Sequence, residues 1–163
     1  MSTLYVDEIR PKTSGKHVLM PEKPVFFAQG AASGYQSFAT SNTVIADWAT
    51  SGSTYISQGG LTHSSGVVTV PVAGIYEVTG FVLVETDNAE YGLIMIYHGS
   101  TRVTLSQVYN HSAGGKVEHT APVHAFINCA AGDTISMRQQ ASSTSVRWYN
   151  QGAYGAFGVK LVG

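Results

Sequence analysis

The stretch Ser143-Thr144-Ser145-Val146-Arg147-Trp148-Tyr149-Asn150-Gln151 sets two aromatic rings beside a guanidinium and two amides. That combination can grip a sugar: an aromatic face complements the C–H surface of the ring, and the polar groups bond its hydroxyls. Tyr109-Asn110-His111 and Gly34-Tyr35-Gln36 offer the same chemistry in short form. Tyr35, Tyr109, Arg147, Trp148 and Tyr149 are therefore candidate ligand contacts, carried on loops, with a host-surface glycan as the candidate ligand. The same residue types are enriched where subunits meet. A packed subunit seam is the stronger of the two readings for Trp148 and Tyr149.

Catalytic patterns do not emerge. The chain shows no Ser-His-Asp order, nucleophile elbow or phosphate loop, and it is read as a non-enzyme without cofactor. His119 and His124 share one expected strand at an odd separation, so they point to opposite faces. His63, His98 and His111 fall in different loops or strand ends, and Asp47, Asp87, Glu90 and Asp133 at strand ends or turns. No metal ligand set is assigned. Cys129 is the only cysteine; no intrachain disulfide is possible, no thiolate metal site is expected within one chain, and the side chain reads as a small core residue.

Composition narrows the classes further. The formal net charge is −1 and charged residues make up 12% of the 163, about half of the usual share. Phosphate neutralisation is thus a poor explanation of the chain, and no nucleic-acid partner is expected. No apolar run is long enough to span a membrane, and the first residues lack the apolar core of a signal peptide.

The elements that must position these residues are strands. The run from Gly66 to Glu85 reads as two strands about a Pro71-Val72-Ala73-Gly74 turn. On the second strand, Tyr76, Val78, Gly80, Val82 and Val84 make one apolar face. Ile75, Phe81 and Leu83 make the opposite face largely apolar as well, among Glu77, Thr79 and Glu85. A lone antiparallel sheet keeps one face wet, so a strand apolar on both sides needs cover twice. Ile75, Phe81, Leu83 and Phe126 are the residues expected at a subunit interface, with the chain itself as partner. Further strands are expected at Val25–Ala28, Thr43–Trp48, Tyr91–Tyr97, Arg102–Tyr109, Glu118–Cys129, Thr134–Gln140, Ser145–Tyr149 and Ala153–Leu161. No stretch holds a helical apolar period, and the spacing of strands predicts an all-β sandwich or barrel.

With the strands placed, the chain resembles the globular head of complement C1q and the tumour necrosis factor superfamily. Four segments carry the resemblance, in order: Val25-Phe26-Phe27-Ala28, Ala73-Gly74-Ile75-Tyr76-Glu77-Val78, Ala131-Gly132-Asp133-Thr134-Ile135-Ser136-Met137 and Tyr154-Gly155-Ala156-Phe157-Gly158-Val159-Lys160-Leu161. Together they span residues 25–163. The resemblance implies a ten-stranded jelly-roll sandwich assembled as a homotrimer. Phe157, Tyr76 and Phe81 are the expected aromatic pillars of its core.

Residues 1–24 differ from the rest. Leu4-Tyr5-Val6-Asp7-Glu8-Ile9, the turn Arg10-Pro11-Lys12-Thr13-Ser14-Gly15-Lys16 and His17-Val18-Leu19-Met20 suggest a short β-hairpin or extended arm. This segment is similar to the opening of many bacteriophage tail-fibre and virion proteins, which use it to trimerise or attach. Leu4, Tyr5, Val6, Ile9, Arg10, Val18 and Leu19 are the expected attachment residues, docking on other virion proteins of the tail or capsid. The chain is thus read as a virion protein: a tail-fibre or receptor-binding head, with a capsid decoration (cement) protein as the alternative. A cellular C1q-like recognition module or adhesin is the second alternative.

Overall fold

The computed structural model describes residues 23–111 and 114–163; the expected arm residues Leu4, Tyr5, Val6, Ile9, Arg10, Val18 and Leu19 lie outside them. The described chain is all β: β1 Val25–Ser37, β2 Thr43–Val44, β3 Tyr55–Gln58, β4 Thr62–Ser64, β5 Val67–Thr69, β6 Gly74–Thr86, β7 Tyr91–His98, β8 Thr101–Tyr109, β9 Val117–Cys129, β10 Thr134–Ala141 and β11 Arg147–Leu161. Ten of them form two antiparallel sheets, β3-β1-β11-β6-β9 and β4-β5-β10-β7-β8, and β2 adds to β10.

The core follows from period-two alternation. Along β9, Ala121, Val123, Ala125, Ile127 and Cys129 are buried, and the residues between them are exposed. β6 buries Tyr76, Val78, Val82 and Val84 as its apolar face requires. β1 and β11 add Phe26, Ala28, Phe157 and Val159, and the second sheet answers with Val68, Ile94, Ile96, Ile135 and Met137. Phe26 meets Phe157 edge-on at 5.6 Å, and Trp48 lies 5.8 Å from Phe157. Of the three expected pillars, Tyr76 and Phe157 are fully buried. Phe81 is not: its odd-numbered position turns it to the outside of β6.

The expected boundaries hold best where β-branched and aromatic residues are dense. β1 runs nine residues past Ala28, because bulges between Gln29 and Gly30 and between Ala31 and Tyr35 keep it paired to β11. Of Thr43–Trp48 only Thr43–Val44 is a strand, with Trp48 bridged to Gly30. The Gly- and Ser-rich region between Gly52 and Gly66 carries β3 and β4. Ser145–Tyr149 and Ala153–Leu161 are not two strands: β11 is continuous through an irregularity between Tyr149 and Gly155.

Candidate functional site

Cross-strand register fixes what shares the outer face of the five-stranded sheet. Phe81 stands opposite Ala156 on β11 and Pro122 on β9; Thr79 stands opposite Gly158 and His124. Gly158 in turn faces Phe27, which faces Ile56. Gly158 carries no side chain, and the Phe27 ring lies 3.6 Å from where a Cβ would sit. Phe27, Phe81, Pro122, Ala156 and Gly158 therefore surround an apolar groove of about 430 Å³. A smaller recess of about 160 Å³ continues it past Phe27 towards Val25.

The interface residues named from the sequence all lie on this face. Ile75 is 46% exposed and Phe126 61%; Phe81 is half-buried in the groove wall, and Leu83 is half-buried beyond it. Near Phe126, Glu77 pairs with Lys160 at 2.7 Å and with His124 at 3.3 Å. Hydrogen bonds from Lys160 and then His124 hold the Glu77 carboxyl below the usual carboxylate range. Such solvent-exposed pairs contribute little to stability. Covering one phenyl ring contributes about 2 kcal/mol, so the apolar residues dominate what this face can do.

At the other end of the same face, Leu83 stands opposite Tyr149 and Thr120, and Glu85 opposite Arg147 and Glu118. Tyr35 and Tyr149 pack at 5.1 Å, and Tyr149 and Tyr154 at 4.8 Å. The Arg147 guanidinium lies 4.5 Å over the Tyr35 ring. It also donates to Glu85 Oε1 at 2.5 and 2.8 Å, where Lys116 donates at 2.9 Å. Burial pushes the Glu85 carboxyl up, but the bonds from Lys116 and Arg147 outweigh it and leave the group below its usual range. The Tyr35 hydroxyl donates to Glu118, which raises its pKa to about 12. Tyr35, Leu83, Glu118, Tyr149 and Tyr154 line a cleft of about 270 Å³.

Three of the five candidate ligand contacts, Tyr35, Arg147 and Tyr149, are thus brought together, on strands rather than loops. Trp148 is not with them. It is 4% exposed and belongs to the core, because along β11 it alternates with Arg147 and Tyr149 and points inward. Tyr109 sits on β8 in the other sheet, packed at a tilt against His111 with ring centroids 4.2 Å apart. Tyr154 and Glu118 complete the cleft without having been singled out; the bulge that brings Tyr154 over Tyr149 has only Gly152 and Gly155 as its sequence signal.

At the opposite end of the sandwich, the end of β7 meets the β9–β10 turn. Gly132, at φ +89°, makes that turn. Asp133 braces it by accepting from the Ala130 N–H at 2.8 Å and pairs with His98 Nε2 at 2.7 Å. These bonds hold the Asp133 carboxyl below its usual range. Cys129 is buried beside them, and burial pushes its thiol up to about 11.

The sequence matches no protein-family model and no curated protein. Among solved structures, Eiger TNF from S. frugiperda is similar, with a TM-score of 0.68 over 87% of this chain and 94% of that one, at 13% identity. Two antiparallel sheets without a helix among the described residues, together with that likeness, make the fold of this chain a C1q/TNF-like jelly-roll sandwich.

Proposed function

We propose that this chain is a non-enzymatic recognition head that works as a homotrimer, with the outer face of the five-stranded sheet at the subunit seam. One observation carries the reading: the inner side of that sheet is already committed to the core, and its outer side holds the Phe27–Phe81–Pro122 groove with Ile75 and Phe126 exposed beside it. A contiguous apolar face of this kind is a mark of an interaction site. The tyrosine cleft lies on the same face, continuous with Leu83, which favours the seam over a glycan for Tyr35, Arg147 and Tyr149. Recognition then falls to surfaces outside this sheet.

The place of such a trimer rests on residues 1–24, whose resemblance to virion attachment segments supports a bacteriophage tail-fibre head held on the particle by that arm. Antibody against the head, applied to purified particles of the encoding phage, tests this by electron microscopy. Label at the tail is the expected result. Label over the whole shell would replace the fibre reading with the capsid decoration one, and particles free of the protein would remove the virion reading altogether.

A further inference from the structure

His98 from the end of β7, Cys129 from the end of β9 and Asp133 from the turn that follows come together although 31 residues separate the first two. His98 Nε2 or Nδ1, Cys129 Sγ and a carboxylate oxygen of Asp133 all lie within 4.8 Å of one another. An imidazole nitrogen, a thiol sulfur and a carboxylate oxygen are the donor types a tetrahedral Zn²⁺ takes. With metal–ligand bonds of 2.0–2.3 Å, two such ligands stand about 3.3–3.7 Å apart, so the group needs a closure of about 1 Å on the sulfur side. His98 and Asp133 are closer than that, at 2.7 Å. A metal held by both would open this pair by about half an ångström.

We propose that His98, Cys129 and Asp133 form a divalent transition-metal site that takes Zn²⁺. Cys129 loses its proton to solvent as the sulfur–metal bond forms, and His98 carries its one imidazole proton on Nδ1, so that the Nε2 lone pair binds the metal. Cys129 belongs to β9 in one sheet and His98 to β7 in the other, so a bound ion ties the two sheets at one end of the sandwich. Its second effect is on the β9–β10 turn, which Asp133 already braces through Ala130. The side chains of His98 and Asp133 are 30% and 34% exposed, which leaves an entry path and a fourth position for water. This site lies outside the proposed seam and does not depend on the trimer.

The test uses untagged full-length protein, stripped with chelator, kept reduced and titrated with Co²⁺ as the spectroscopic probe and then with Zn²⁺. The expected result is a thiolate-to-cobalt charge-transfer absorption that saturates at one ion per chain and is displaced by Zn²⁺, with a higher melting midpoint for the loaded protein. Cys129→Ser should lose the absorption, and His98→Gln and Asp133→Asn should each weaken Co²⁺ binding at least about tenfold. His98→Gln alters a part-exposed side chain, so it serves even if a change at buried Cys129 prevents folding. Absence of the charge-transfer band in the folded wild-type protein would overturn the proposal. So would Co²⁺ affinity unchanged in His98→Gln and Asp133→Asn, since the ion would then sit elsewhere.

Discussion

Phe81 and Pro122 stand directly opposite each other across β6 and β9, on the side of the sheet that faces away from the core, and form one wall of an apolar groove. A neighbouring subunit that fills the groove would remove both from water, with Thr79 and Thr120 as the polar side chains of the lining. Phe81→Glu places a charge in that contact. It should leave the β-rich circular dichroism spectrum unchanged, because Phe81 packs outside the core, and should weaken self-association roughly 30-fold or more per contact. Sedimentation velocity across a concentration series measures the shift.

Glu85 is the charge most deeply set in the sheet's outer face, held by Arg147 and Lys116. Its carboxyl lies below the ordinary value of 4.5 in the folded chain. The unfolded chain therefore binds the proton more readily, and stability from this group is present above pH 4.5 and lost as pH falls through the folded value. Melting midpoints taken from pH 6 down to pH 3 should fall more steeply in the wild type than in Glu85→Gln. Equal slopes would show that the group carries no folding-linked shift.

Arg147→Ala removes one of the two cations on Glu85 and the guanidinium that covers Tyr35. Lys116 remains and Arg147 is partly exposed, so the loss should be moderate, about 1–2 kcal/mol in urea unfolding. Arg147→Lys should recover less than half of it, because an ammonium cannot both donate twice to Glu85 and lie flat on a ring.

Gly66 enters β5 at φ +78°, and a Cβ there would land on the backbone carbonyl of Ile45. Gly66→Ala should therefore cost about 2 kcal/mol or more, strain and clash combined. Gly52, at φ +87°, has open space around it, and Gly52→Ala should cost only the backbone term of about 1 kcal/mol. Chemical denaturation of the two variants separates the contributions.

The head should stand without the segment before it. Leu161 N–H donates to the Pro24 carbonyl at 2.9 Å, so the ordered pairing of the sheet already includes Pro24. A chain starting at residue 23 should keep the β spectrum and native mass of the full protein; on the proposed virion reading it would lose only its incorporation into particles.

Much of this fold is legible in the residues because β6 and β9 alternate so regularly. The even positions of β6 from Tyr76 to Val84 and the odd positions of β9 from Ala121 to Cys129 carry no polar side chain, and both sets are buried. The edges were harder to read. β3 and β4 are three or four residues long and built from Tyr, Ile, Ser, Gln, Thr and His, a composition that reads equally well as loop; pairing to β1 and β5 makes them strands. Trp148 shows how local chemistry misleads: its type suits a sugar, but its parity along β11 sends it inward. His98, Cys129 and Asp133 could not be grouped from spacing, because only the packing of β9 near the end of β7 brings them together.

The mass of the purified full-length protein in solution, by light scattering coupled to size exclusion, bears most directly on the claim that the outer sheet face is covered by copies of the chain. Three chain masses at micromolar concentration is the expected value, falling towards one in Phe81→Glu. A single chain mass for the wild type at every concentration tested would contradict the account.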